Sequence, residues 1–186
     1  MSSIVVVYHS GYGHTRRLAE RVAQGARAAG ADVSLVPVAE VEQRWAELDA
    51  ADALILGAPT YMGSLSAAFK AFMEASSKRW YSRAWQDKLA AGFTNSASQS
   101  GDKLNALQQL MVFAAQHGML WVSLGLLPGN NSSQGSPDDL NRLGSYAGAM
   151  AQSNTDQGEE AMRESDLLTG EHLGRRVAEA AARWRR

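Results

Sequence analysis

Seven consecutive residues, His9-Ser10-Gly11-Tyr12-Gly13-His14-Thr15, place two hydroxyls and two glycines just ahead of a helical pattern. Glycines let backbone N–H groups turn toward one point, and a helix head adds the positive end of its dipole. Such a turn can hold a phosphate without Lys or Arg. The same residues also suit an ordinary strand-to-helix turn in which Ser10 and Thr15 are caps. Local sequence does not separate the two. Two further turns combine small residues with backbone donors. They are Pro59-Thr60-Tyr61-Met62-Gly63 and Thr94-Asn95-Ser96-Ala97-Ser98-Gln99. Tyr61 and Met62 offer flat or soft surface to an aromatic ring. One phosphate-like turn beside two ring-like turns suits a phosphorylated planar cofactor.

Competing phosphate motifs are excluded. No G-x-x-x-x-G-K-[ST] is present. Gly11-x-Gly13 has Arg16 where a dinucleotide fingerprint needs its third glycine, and Leu35-Val36-Pro37 supplies no acid for a ribose. A phospho-acceptor site would need acids where His9-Ser10 and Gly57-Ala58 stand. No His or acid pair has metal-ligand spacing, so no metal site is expected. His117 closes a helix, where the dipole favours a His for structural reasons alone. His14 can face solvent, and His9 and His172 read as structural. Trp80 and Trp85 lie in a polar connector, Ser76 to Lys88, and could line a site or a subunit interface.

The elements that must position these turns follow from hydrophobic period. Ile4 to Tyr8 and Ala53 to Gly57 are continuous apolar runs, the mark of strands buried on both faces. Asp32 to Pro37, Leu89 to Thr94 and Met119 to Leu124 complete five strands. Helical spacing is read over Thr15 to Ala29, Val38 to Leu48, Leu65 to Ala75, Lys103 to His117 and Leu167 to Trp184. Alternating strands and helices predict an α/β fold with a doubly wound five-stranded parallel sheet, order 2-1-3-4-5. The whole chain, residues 1–186, reads as one domain with a polar loop insertion at about 128–158. Its Tyr146-Ala147-Gly148-Ala149-Met150 island suggests a loop that folds back over something.

Composition narrows the chemistry. The chain has 186 residues, 45% hydrophobic and 20% charged, with a formal net charge of −1. No field draws in nucleic acid or an anionic membrane. The basic residues Arg175, Arg176, Arg183, Arg185 and Arg186 fit the end of a helix. There are no cysteines, so disulfides, thiolate metal sites and a Cys nucleophile are absent, and redox chemistry requires an organic cofactor. The apolar tract Met119 to Leu127 is broken by Ser123 and is too short for a bilayer span. No leader is read at the N-terminus, and a cytoplasmic location is expected.

Ser10-x-Tyr12-Gly13-x-Thr15 resembles the flavodoxin-type FMN phosphate signature. Val6 to His14, Gly57 to Gly63, Gln116-His117-Gly118-Met119, Tyr146 to Ala149 and Gly170 to Gly174 are similar to the WrbA-type NAD(P)H:quinone oxidoreductases. The resemblance covers nearly the whole chain. It implies FMN as cofactor, NAD(P)H as hydride donor, a small quinone-like acceptor and a homo-oligomer, either dimer or tetramer. It further implies that Ser10, Gly11, Tyr12, Gly13, His14 and Thr15 hold the phosphate. Pro59, Thr60, Tyr61, Met62 and Gly63 would border the ring, and Thr94, Asn95, Ser96, Ala97, Ser98 and Gln99 would supply backbone bonds. His117 would stand beside the ring, with Trp80 and Tyr146 as its catalytic companions. Three departures stand out. The loop after the fourth strand lacks the family's glycines, Gly11 stands where the family often has Met, and Val38 to Asp52 is shorter, as in a smaller relative. A flavodoxin-type electron carrier and a non-catalytic module on the same fold remain alternatives.

Overall fold

A computed structural model of the protein describes residues 1–184. The elements are β1 (Ser3–Tyr8), α1 (His14–Ala28), β2 (Asp32–Pro37), a 3-10 turn (Val38–Gln43), α2 (Trp45–Ala50) and β3 (Ala53–Tyr61). They continue with β4 (Ser64–Leu65), α3 (Ala67–Ala75), α4 (Ser77–Ser82), β5 (Leu89–Ser96), α5 (Lys103–Gln116) and β6 (Leu120–Trp121). The chain closes with β7 (Ala149–Gln152), a second 3-10 turn (Glu159–Ala161) and α6 (Glu164–Trp184). Arg185 and Arg186 of the basic cluster lie outside the described residues.

The flavodoxin-like architecture is the expected one, but the sheet differs in detail. It has seven strands with the main order β2-β1-β3-β5-β6, β4 joined to β3 and β7 joined to β5. The expected five strands in order 2-1-3-4-5 therefore need two corrections. First, β3 does not stop at Gly57. It runs on to Tyr61 and turns back antiparallel into β4 through Met62 and Gly63, both at positive φ. Two residues in that conformation match the twist of a tight hairpin. Second, the edge position is filled in two pieces. Leu120 and Trp121 pair with Leu89 and Ala90 at the start of β5. The chain leaves, and Ala149 to Gln152 return beside Phe93 to Ser96.

The excursion between those halves is pinned. Asn141 donates to Ser145 O (2.9 Å), accepts from Ser145 N–H (2.8 Å), and its own N–H reaches Thr169 Oγ1 (2.9 Å). Polar side chains here serve the backbone, as a chain covering a sheet edge requires. The apolar runs behave as their composition demands. Ile4, Val6, Ile55 and Phe93 pack against Leu18, Val22, Leu173 and Val177 of α1 and α6. Their neighbours Val5, Val7, Leu54 and Leu56 face the other way, onto Trp45, Phe69, Phe72, Leu107 and Leu110. With both faces covered, only the ends of the sheet are left for chemistry.

Candidate functional site

At the carboxyl ends of the parallel strands lies a cavity of about 900 Å³. The β1–α1 turn contributes Ser10, Gly11, Tyr12, His14 and Thr15 to its wall. The end of β3 and its hairpin contribute Pro59, Thr60, Tyr61, Met62 and Gly63. The β5–α5 loop contributes Asn95, Ser96, Ala97 and Ser98. Three segments distant in sequence converge here because β1 and β3 are neighbours and β5 flanks β3.

Gly13 precedes the helix head at φ 93°, and its N–H donates to Ser10 Oγ at 3.1 Å. Helix α1 has no side-chain cap and no acid in its first turn. Its first N–H groups thus have no partner within the helix. At Gly11 a Cβ would stand 2.7 Å from Tyr61 Oη, so a side chain there would displace the Tyr61 hydroxyl. Below the cavity, Thr94 Oγ1 donates to Ala58 O at 2.7 Å. Its single proton is then spent, so Thr60 Oγ1 is the donor in the 2.7 Å contact between the two threonines. Asn95 gives its amide to Ser153 Oγ (2.8 Å), and its buried Oδ1 has no partner in the protein. Tyr12 and Met62 are exposed at the rim, and Met62 carries φ 49°. A long side chain held in that conformation is a strain of the kind that persists at ligand sites.

Other expected site residues lie elsewhere. Thr94 sits beneath the cavity rather than in its wall. Gln99 and Tyr146 line a neighbouring cleft of about 930 Å³. Trp80 and His117 share a third cavity of about 660 Å³, between α3, α4 and α5. A crossover helix runs opposite to its strands, so the end of α5 returns to the far end of the sheet. Fourteen residues at 1.5 Å each make that path roughly 21 Å. Within one chain His117 does not stand beside this cavity, and the topology alone implies as much. His117 is 3% exposed, against Trp85 (ring centroids 4.4 Å) and Phe113 (4.8 Å). Burial pushes its pKa down to about 4, so it is neutral.

Sequence reasoning misses Gly101 of the β5–α5 loop and four further wall residues, Ser153, Asn154, Thr155 and Gln157. The latter four belong to the polar stretch, and only its unusual length hints at them. Gln157 O meets His14 Nε2 at 3.0 Å, and Glu159 pairs with Arg16 at 2.6 Å, tying this segment to the head of α1. Among the described residues no group of His and acids could hold a metal, and no helix is long and apolar enough to cross a membrane.

A flavodoxin-like sheet with its site at the carboxyl edge, built from backbone donors beside the first helix, defines the class. The model of the family described as NADPH-dependent FMN reductase matches residues 3–132, and the chain belongs to that family. It is 46% identical over 181 residues to a Pseudomonas aeruginosa protein named Flavodoxin FldP, covering 96% of each chain. It is 32% identical to an Archaeoglobus fulgidus protein named NAD(P)H dehydrogenase (quinone), covering 97% of this chain and 98% of that one. Among solved structures, the WrbA-like flavodoxin from Agrobacterium tumefaciens is similar, with 49% identity and a TM-score of 0.77. That match covers 98% of this chain and 99% of the other.

Proposed function

We propose that the protein binds FMN in the 900 Å³ cavity and uses it to pass a hydride equivalent from NAD(P)H to a quinone or similar two-electron acceptor. The observation that carries this reading is the uncapped, acid-free first turn of α1 opening on a cavity walled by two further strand-end turns. The donor set fits the cofactor part by part. The N–H groups at the head of α1, with Ser10 and Thr15, suit a dianionic phosphate. Asn95, with its unpaired buried oxygen, and the residues from Ser96 to Gln99 suit a hydroxylated chain and a ring edge. Tyr61, Met62 and Tyr12 provide flat and soft surface at the rim.

Bound FMN would supply reversible two-electron chemistry that no side chain of this chain offers. The protein binds, orients and shields. Amides aimed at a ring edge favour negative charge there. Within one chain, His117 and Trp80 are on the far side of α5. They serve a flavin only where a second copy presents them, and we read the protein as a homo-oligomer, dimer or tetramer. Trp80, Tyr81, Leu104, Met111 and Val112 expose apolar surface on α4 and α5 for such a contact. A neutral His117 spends its Nε2–H on Ser76 Oγ (2.9 Å) and leaves Nδ1 as an acceptor, so it carries no proton to give away at neutral pH. Tyr146 is exposed and lines the adjoining cleft, where it would meet an incoming acceptor. We read the chain as one domain and its location as the cytoplasm, where NAD(P)H is supplied.

The test is spectroscopic. Purified protein given FMN is expected to hold it through gel filtration, to bleach on addition of NAD(P)H, and to regain colour with benzoquinone. No uptake of FMN overturns the reading. Uptake without bleaching favours the electron carrier, the role suggested by the name of the 46% identical relative. The net charge of −1 gives an electron carrier little steering toward a basic partner.

A further inference from the structure

The loop after β5 is held through its carbonyls by three arms. Ser96 O accepts from Ser153 N–H at 3.2 Å, Ala97 O from Gln152 Nε2 at 2.9 Å, and Ser98 O from Lys103 Nζ at 2.6 Å. In a trans peptide the next N–H points opposite to the carbonyl. The N–H groups of Ala97 and Ser98, which wall the cavity, and of Gln99, which lines the neighbouring cleft, are therefore each turned away from its arm. Successive amides presented this way make a concavity for negative charge.

The arms differ in kind. Gln152 and Ser153 are neutral, whereas Lys103 is a fully buried cation whose Nζ also donates to Ser96 Oγ at 2.9 Å. Neither of these partners is a carboxylate. The charged groups facing it are Asp166 of α6 and Arg142 of the excursion. Those two are committed to each other through Nε–Oδ1 (2.8 Å) and Nη2–Oδ2 (2.7 Å), both side chains buried. Their charges largely offset one another, which leaves Lys103 without a counter-ion of its own. Burial pulls its pKa down to about 8, with Asp166 working against the shift and Arg142 with it. A cation buried at such cost behind a ligand wall points to a use.

We infer that Lys103 is a positioning residue for the cofactor: it fixes the amides of residues 97–99 toward the ring and lends positive charge to the flavin when reduction makes it an anion. This rests on the FMN reading. The test is titration with oxidised FMN and, without oxygen, with dithionite-reduced FMN, between pH 7.5 and 9.5. Wild type is expected to prefer reduced FMN, and to lose about tenfold of that preference as the pH rises and Lys103 gives up its proton. That factor is ~30 mV for a two-electron couple. K103M should show the reduced preference already at pH 7.5. K103R should keep the preference across the whole range. Q152L should weaken both forms alike and leave the preference unchanged. A K103M protein with the wild-type preference and pH profile overturns the inference alone, as does Q152L reproducing K103M. Should K103M not fold, an identical pH profile in K103R and wild type overturns it. Wild type that takes up no FMN overturns the cofactor reading, and this inference with it.

Discussion

The two ends of the sheet treat their polar groups in opposite ways. At the carboxyl end the helix head of α1, Asn95 Oδ1 and the β5–α5 amides face a cavity with donors and acceptors unspent. At the far end most polar side chains are consumed internally, with the buried Nδ1 of His117 as the exception. Ser76 Oγ donates to Met73 O at 2.7 Å, so the 2.9 Å contact with His117 must use the imidazole N–H at Nε2. Trp85 Nε1 donates to Asp49 at 2.8 Å, Phe72 stacks on Trp45 and Trp85, and Phe113 meets Trp85 edge-on. Residue type misleads here. His and Trp, the side chains most suggestive of chemistry, stand where packing has used them, while glycines and serines form the wall that can still bind.

Breaking the open end should have the largest effect. Gly13→Val puts a β-branched residue at φ 93°, with its Cβ 2.3 Å from Glu159 Oε2. FMN affinity is expected to fall on the order of 100-fold, beyond the 1–2 kcal/mol of strain that an L-residue carries in that conformation. Gly30→Val is the control. Gly30 also has positive φ, +85°, but nothing lies within 4 Å of its added Cβ. That variant should lose about 1–2 kcal/mol of stability in urea and keep its FMN affinity. Equal loss of binding in both would mean that the α1 head has no privileged role.

The closed end should reveal itself through pH. His117 has its folded pKa lowered from 6.5 to about 4 by burial. Below pH 6.5 the unfolded chain takes up a proton that the folded chain refuses. The stability is therefore whole above pH 6.5 and is lost as pH falls toward 4, by roughly 3 kcal/mol in total. His9 and His172 are lowered in the same direction, so the difference between wild type and His117→Gln is the quantity to follow. Urea midpoints at pH 7, 5.5 and 4 are expected to converge as acid removes the wild-type advantage. Parallel curves would show that the ring is not held neutral.

How much of this is legible in sequence depends on how far apart the cooperating residues lie. Ser10 to Thr15 are contiguous, and the flanking Ile4 to Tyr8 and Leu18 to Ala26 patterns fix their place between strand and helix. The second half of the edge strand is different. Ala149 to Gln152 contain no long apolar run, and they become a strand only because β6 leaves the upper part of β5 unpaired. Lys103 reads as a polar start to an amphipathic helix. The charges that face it, Arg142 and Asp166, lie far along the chain, and its ammonium is taken up by a loop carbonyl and hydroxyl. Side chains that answer to distant backbone leave little local signal.

Trp80 sharpens the comparison with the smallest effect. Its ring is half exposed on α4 and borders the same lower cavity as His117. If that surface completes a second copy's site, Trp80→Ala should leave FMN affinity unchanged and raise the KM for benzoquinone about tenfold, the scale of one lost aromatic contact. The apparent mass in sedimentation should fall together with turnover as the protein is diluted. Unchanged kinetics with an unchanged mass would confine the chemistry to the carboxyl end of a single chain and assign the lower aromatic cluster to packing alone.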